Sequence, residues 1–347
     1  MKKIAFFDAK PYDIQVFDQE NRGHNYEFKY FSEHLNDNTV FLTKGFDAVC
    51  AFVNDKLSGH VIDTLYKNGI KFVALRSAGY NNVNLKSAYL KVHIARVPAY
   101  SPYAVAEHTV ALMLSLNRKI HKAYNRTRDN NFSINGFLGF DMKGKTIGVI
   151  GTGRIGRTVI NILKGFGVNI VAYDYVPDKK YAKATGIKYV KLNELFKVSD
   201  IITLHCPLSR QTDHLINAEA IKKMKKGVMI INTGRGRLID TKALINGLKT
   251  KKVGYAGLDV YEEEDKYFFE DFSGDVLGDD TLARLLTFSN VLITSHQGFF
   301  TKEAIENIAK DTIQNLDDYF AGAPLKNEIC YQCGEKACRK EKKGRCF

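Results

Sequence analysis

The stretch "VIGTGRIGRTV", residues 149–159, sets Gly151, Gly153 and Gly156 between an apolar run and an amphipathic one. Residues 145–150 ahead of it have the pattern of a strand, and residues 157–166 after it that of a helix. In a G-x-G-x-x-G motif with these flanks, the first glycine permits the tight turn. The second lets the backbone approach a pyrophosphate, and the third lets the helix pack close to the strand. Arg154 and Ile155 belong to the same cradle, because the first turn of the helix offers free N–H groups and a partial positive charge to phosphate. The motif calls for an acidic residue about 20 positions further on, and "NIVAYD" ends in Asp174. A carboxylate there can accept hydrogen bonds from both ribose hydroxyls and would repel a 2′-phosphate, which favours NAD over NADP.

A chain of 347 residues is long for one ordinary core and suits two domains. It is 45% hydrophobic and 26% charged, the balance of a globular chain and not of a disordered one. No stretch of about 18 uncharged apolar residues occurs, so no membrane span is expected. The N-terminus, "MKKIAFFDAKPYD", is apolar only over residues 4–7, short of the roughly 7–15 that a secretory segment needs. It reads as a first strand, and a cytoplasmic protein is expected. The formal charge is +13, and residues 326–347 hold seven Lys/Arg against three Asp/Glu. No basic helix interleaved with aromatics appears, so the expectation is a solvated basic surface that binds no nucleic acid and could draw in small anionic substrates.

The runs "KKIAFFDA", "DAVCAFV" and "KFVALRSAG" are β-rich, and helical segments such as "SGHVIDTLYKNG" separate them. A second β/α series follows: "KTIGVIG", "NIVAYD", "IITLHCPL", "GVMIINTG", "GYAGLDV" and "NVLITSH". Between the two series, "SPYAVAEHTVALMLSLNRKIHKAYNRTRDN" reads as one long helix connecting two domains. The pattern predicts an α/β protein with two Rossmann-like or flavodoxin-like domains, each with a parallel sheet. The first domain is discontinuous, 1–99 plus 297–330, and the Rossmann domain, 100–296, is inserted in it. Residues 331–347 form a Cys/Lys-rich tail. Cys50 and Cys206 lie in apolar runs and read as buried thiols.

Open α/β sheets bind ligands beyond the carboxyl ends of their strands. There "IINTGRG" puts Arg235, "GLDVYEEE" puts Asp259 and three glutamates, and "VLITSHQ" puts His296. A nicotinamide enzyme reducing a 2-keto acid needs a cation for the carboxylate and ketone. It also needs a proton donor for the developing alkoxide, and a partner that keeps the donor protonated. Taken singly, a loop arginine is usually exposed, a glutamate run solvated and a strand-end histidine structural. All three at successive strand ends behind a dinucleotide motif fit catalysis.

Over about residues 1–329 the chain resembles the D-isomer-specific 2-hydroxyacid dehydrogenases. The resemblance is carried by "RSAGYNNVNL", "VPAYSPYAVAEHTVALMLSLNRKIHKAYNRTRDNNF", "GKTIGVIGTGRIG", "LHCPL", "NTGRGRLID", "GLDVYEEE" and "SHQGFFTKEA". Residues 97–132, "EEEDKYFFED" and "SHQGF" look most like the fermentative D-lactate dehydrogenases within that family. The resemblance implies reversible hydride transfer between NADH and pyruvate, giving D-lactate. It makes Arg235 the clamp for substrate carboxylate and carbonyl, and His296 the general acid in reduction and base in oxidation. Glu264, last in the D-V-Y-E-x-E pattern, becomes the partner of His296. An ionised carboxylate beside an imidazole favours the imidazolium near neutral pH. The backbone amides of Ala78 and Gly79 are implied to hold the substrate carboxylate, with Tyr100 and Phe52 in the pocket. Cys206, Pro207, Thr233, Gly234 and Asp259 are implied to lie along the cofactor. A homo-oligomer, at least a dimer built through the inserted domain, is implied too, and the apolar helix at 103–117 suits it.

The chain departs from the family pattern at Gly234 and Gly298, where Ser or Ala and then Ala are common, and at Ser295, where Pro is common. A reductase of longer 2-keto acids, of the D-2-hydroxyisocaproate type, would use the same machinery. A phosphoglycerate dehydrogenase would need room for a regulatory domain, and a formate dehydrogenase would carry Gln in place of Glu264. A non-enzymatic NAD-sensing corepressor on this fold could keep all three residues, and turnover would separate it.

The tail, "CYQCGEKACRKEKKGRCF", spaces Cys330, Cys333, Cys338 and Cys346 as C-x2-C-x4-C-x7-C. Four thiolates could bind zinc or an Fe–S cluster. Zinc sites usually show paired CxxC knuckles, however, and only Cys330 and Cys333 form one. The expectation is a flexible, redox-sensitive basic tail with no metal.

Overall fold

The computed structural model describes residues 1–333 and 338–347. The chain divides into two compact units, Met1–Ser101 with Phe300–Phe347, and Pro102–Phe299. No helix among the described residues is long and apolar enough to cross a membrane.

The first unit is built on a six-stranded sheet. Its strands are β1 (Lys2–Phe6), β2 (Tyr26–Tyr30), β3 (Ala48–Ala51), β4 (Phe72–Leu75), β5 (His93–Ala95) and β13 (Glu328–Ile329), in the order β13-β5-β4-β3-β1-β2. All pair in parallel except β13, which runs antiparallel to β5. Strands β3 (AVCA) and β4 (FVAL) are buried at every residue, as expected of parallel strands covered on both faces. Alternate residues feed two cores. Ala5, Val49 and Val73 meet Val61, Ile62 and Leu65 of the Gly59–Lys67 helix. Ile4, Phe6 and Cys50 meet Ala309, Ile313 and Leu316 of the Lys302–Phe320 helix. Full burial of one such aliphatic side chain is worth about 1.5–3 kcal/mol, so these two layers carry the unit. The outer strand β2, YEFKY, alternates instead and turns Glu27 and Lys29 outward.

The second unit holds a seven-stranded sheet, parallel throughout. Its strands are β6 (Thr146–Ile150), β7 (Asn169–Tyr173), β8 (Lys188–Tyr189), β9 (Ile201–Leu204), β10 (Val228–Asn232), β11 (Val253–Leu258) and β12 (Val291–Ile293). Their order, β12-β11-β10-β9-β6-β7-β8, reverses direction between β6 and β9. That reversal is the switch point at which open α/β sheets open a crevice for a ligand.

The structure departs from the sequence reading at three places. The first sheet, expected to be parallel, ends in the antiparallel strand β13. The segment expected as one long helix is two, Pro102–Arg118 and Ile120–Arg128, broken at Lys119, whose φ of 51° is left-handed. The first of these is less a connector than part of the core. It buries Val105, Val110, Leu112, Met113 and Leu116 within the second unit, and a Cβ at Gly257 of β11 would stand 3.1 Å from Leu116 and 3.3 Å from Leu112. The tail, expected to be flexible, is folded into the first unit in its described residues. Arg345 donates to the carbonyls of Asp318, Tyr319 and Ala323 at the end of the Lys302–Phe320 helix, whose last carbonyls have no partner within the helix. Phe347 stacks on His93, with ring centroids 4.3 Å apart.

Candidate active site

The dinucleotide cradle lies at the β6 end of the switch point. Gly151 follows β6 with φ +92°, and a Cβ there would stand 2.6 Å from the His205 carbonyl and the Cys206 nitrogen. Gly156 is tighter, since its Cβ would meet the Gly151 oxygen at 2.0 Å. Gly153 differs. Nothing lies within 4 Å of its Cβ position, and it caps the Arg154–Lys164 helix without any side-chain hydrogen bond. Two glycines are therefore required by packing, and the third keeps the helix N-terminus open. This suits a pyrophosphate on the amides of Arg154, Ile155 and Gly156.

Asp174, at the tip of β7, accepts from the Thr152 amide at 2.6 Å, the Thr152 hydroxyl at 2.8 Å and the Val176 amide at 3.1 Å. Partial burial opposes its charge, but these donors outweigh that and hold the carboxyl below its usual range. On the opposite side, burial drives the His205 ring down to about 3 and the Cys206 thiol up to about 11, so both are neutral. Pro207 follows them and takes a bond from Thr212 on its carbonyl.

Arg235 sits past β10 in a loop pinned by Asn232. The fully buried Asn232 side chain accepts from the Gly234 amide and donates to the Arg235 carbonyl. Thr233 is tied to Thr109 at 2.9 Å. A Cβ at Gly236 would stand 2.0 Å from the Tyr261 backbone, so this loop lies directly on the one after β11.

That second loop carries the three glutamates, and the structure separates them. Glu262 accepts from the Thr241 amide and pairs with His214 at 2.7 Å. Glu263 is exposed. Glu264 accepts from the Tyr261 amide with one oxygen and faces His296 Nδ1 at 2.9 Å with the other. His296 has φ +53°, which is uncommon outside glycine. Asp259, only 1% exposed, holds that turn. Its carbonyl accepts the His296 amide, and its carboxylate accepts the amides of Gln297 and Gly298 and the Thr294 hydroxyl. Asp259 had been expected beside the cofactor, and these bonds give it a positioning task under His296. His108, from the Pro102–Arg118 helix, stands 3.2 Å from the same carboxylate and 3.0 Å from Thr294.

The family departures now have local readings. An alanine at 234 would make only ordinary contacts, at 3.4 Å or more. A Cβ at 298 would stand 2.8 Å from Asp259 Oδ2, so glycine suits the way Asp259 is used here. Ser295 is exposed.

In the first unit, Phe52 follows β3, Ala78 and Gly79 follow the neighbouring β4, and Tyr100 follows β5, which pairs with β4. Arg96 donates to the Ala78 carbonyl at 2.6 Å, and Ser77 donates to that of Gly79 at 2.8 Å, which fixes the turn. Asn307 donates to the Tyr100 carbonyl. Phe52 lies under the Arg76 guanidinium, and its amide donates to Asp55. Arg76 itself is fully buried, donates to the Asp8 carbonyl and lies 3.5 Å from Asp13.

Sequence reasoning missed His108, Thr294, Asn232 and the Arg76–Asp55 group. Each is an ordinary polar residue in its own stretch. The one available signal was that His108, Asn232 and Arg76 fall inside segments that carry the family resemblance, whereas Thr294 stands just before one.

The family model for the D-isomer specific 2-hydroxyacid dehydrogenase NAD-binding domain matches residues 110–298. A 2-hydroxyacid dehydrogenase homolog of Haemophilus influenzae is 51% identical over 329 residues, covering 94% of this chain and 99% of its own. The D-lactate dehydrogenase of Escherichia coli is 48% identical over 328 residues, again 94% of this chain and 99% of its own. The solved pyruvate reductase of Chlamydomonas reinhardtii superposes with a TM-score of 0.89 at 42% identity, covering 94% of this chain and 98% of its own. With its cradle, its switch point and these relatives, the chain belongs to the D-isomer-specific 2-hydroxyacid dehydrogenases, enzymes that work with NAD.

Proposed function

We propose that the protein is a cytoplasmic D-lactate dehydrogenase that reduces pyruvate with NADH and a proton to D-lactate and NAD, reversibly. The observation that carries this is the His296–Glu264 pair at 2.9 Å, anchored from behind by the Tyr261 amide and Asp259. NADH, when bound, supplies the hydride to the ketone carbon. Arg235 binds the carboxylate and polarises the carbonyl. With Nδ1 directed at Glu264, His296 presents Nε2 to the alkoxide and delivers the proton there. In the reverse direction the same nitrogen takes the proton from lactate. Ala78 and Gly79 offer amides to the carboxylate, and Phe52 and Tyr100 bound the space for the 2-substituent. The names of the Escherichia coli and Chlamydomonas reinhardtii relatives favour pyruvate, and six unpaired cysteines suit a reducing compartment.

A steady-state panel of pyruvate and longer 2-keto acids with NADH, with product chirality assigned, tests this reading. Pyruvate should have the highest kcat/KM, and the product should be the D isomer. A higher value for a branched 2-keto acid would assign the protein to the hydroxyisocaproate type. Absence of turnover on the whole panel would favour the corepressor.

A further inference from the structure

We propose that Cys330, Cys333, Cys338 and Cys346 form a structural zinc site that locks the C-terminal tail onto the first unit. The four sulfurs all lie within 4.8 Å of one another. Four of the six Sγ–Sγ distances are 3.7 Å for Cys333–Cys346, 3.8 Å for Cys330–Cys333, 3.8 Å for Cys338–Cys346 and 3.9 Å for Cys330–Cys338. Four sulfurs arranged tetrahedrally about 2.3 Å from one ion are separated by about 3.8 Å. A disulfide would need about 2.05 Å, and all four cysteines are unpaired. A multi-iron cluster spreads its cysteine sulfurs more widely, because irons and bridging sulfides lie between them. The spacing is that of one tetrahedral ion, and an all-thiolate set selects zinc among the common divalent ions. With four protein ligands no position is left for substrate, so the site is structural and not catalytic.

The surroundings suit a thiolate centre. The Gln332 amide is directed at Cys330 Sγ, and the Lys340 amide at Cys338 Sγ. Zinc with four thiolates carries a net charge of about −2, and Arg339, Lys340, Lys342, Lys343 and Arg345 lie within the same turn of chain. The site is closed on one side, with Cys346 0% and Cys330 4% exposed. It is also joined to the sheet. Cys330 directly follows β13, and the buried Glu328 carboxylate accepts the Cys346 amide with one oxygen and faces His93 with the other. The Leu325 amide donates to the Gly344 carbonyl, so both ends of the tail return to the end of the Lys302–Phe320 helix. A CxxC pair and two further cysteines thus meet at one point. The linear spacing had argued against this, because it shows only one knuckle.

The test uses the untagged full chain, purified under reducing conditions. Metal analysis should find about one zinc per chain. Cobalt added to the chelator-stripped protein should give the intense visible bands of tetrahedral thiolate coordination. Cys338→Ser, at the partly exposed corner, should lower the zinc content at least tenfold, and Cys50→Ser should leave it unchanged. Stripping the wild-type chain should expose residues 339–345 to trypsin, and added zinc should restore protection. Iron in place of zinc, a reduced wild-type chain that takes up neither zinc nor cobalt, or full zinc content in Cys338→Ser would each overturn the assignment. The cobalt spectrum of the wild-type chain decides the matter even where the serine variant fails to fold.

Discussion

His296 Nδ1 lies 2.9 Å from Glu264 Oε1, and the second oxygen of that carboxylate is held by the Tyr261 amide. The glutamate can neither swing away nor solvate freely, so its charge is fixed on the proximal side of the ring. Glu264→Gln keeps the shape and removes the charge. The imidazolium that reduction needs then loses its charged partner, so kcat/KM for pyruvate should fall by about 10²-fold. Glu262→Gln, whose partners are His214 and the Thr241 amide, should leave kcat/KM close to that of wild type. Steady-state kinetics of both variants check this, and wild-type kcat/KM in Glu264→Gln would refute the pairing.

His296→Ala removes the proton donor, and pyruvate reduction should fall by about 10²–10⁴-fold in kcat/KM. Arg235→Ala removes a bidentate, charge-assisted clamp. Its loss should appear in KM as well as in kcat. Near wild-type kinetics in either variant would place the chemistry elsewhere.

Asp174 is held ionised by Thr152 and by the amides beyond β7. A fixed negative charge at that strand tip opposes a 2′-phosphate. NADH should therefore exceed NADPH in kcat/KM by at least about tenfold, a difference of about 1.4 kcal/mol. Asp174→Ala should narrow that ratio. Equal efficiency with both cofactors in the wild-type enzyme would contradict this reading.

Asp55 gives a stability signature. Burial raises its carboxyl to about 6, against the opposing pull of the Arg76 guanidinium. The folded state then holds this proton more tightly than the unfolded chain does. The associated stability is fully present below the unfolded value, about 3.9, and is lost as pH rises through about 6. The loss is on the order of 2–3 kcal/mol from this group. Asp55→Asn cannot titrate, and it leaves the Leu35 or the Phe52 amide facing an amide nitrogen. The variant should be less stable overall but lack this slope. Denaturant unfolding from pH 4 to 6.5 reads the difference, and parallel curves would disprove the assignment.

The apolar surface available for self-association is not the one that the sequence singled out. The Pro102–Arg118 helix spends its leucines and valines inside the second unit. Beyond the break at Lys119, Ile120, Tyr124, Phe132, Ile134 and Leu138 are all more than half exposed. Such a segment marks an interaction surface. Light scattering at micromolar concentration should give at least a dimer, and Ile134→Asp combined with Leu138→Asp should shift it toward monomer. A wild-type monomer would exclude the interface.

The sequence by itself determined the cradle, the two β/α series and the three strand-end residues. Each rests on a local demand: a positive φ at Gly151, apolar runs for strands buried on both faces, and a polar residue where such a run stops. Only the tertiary structure decided what depends on which distant segments meet. Glu262, Glu263 and Glu264 are chemically alike and adjacent. What distinguishes them is His214 beside the first, solvent around the second and His296 beside the third. Nothing in the stretch around Asp259 shows that the turn at 296–298 folds over its oxygens. His108 lies 186 residues from Thr294 in sequence and 3.0 Å from it in space. The four cysteines were legible as a spacing, but their convergence depends on Arg345, Glu328 and Gly344 returning the tail to the sheet. Spacing along a chain fixes a residue's local conformation. Its chemical partners are set by the order of strands in the sheet, which brings loops far apart in sequence to the same edge.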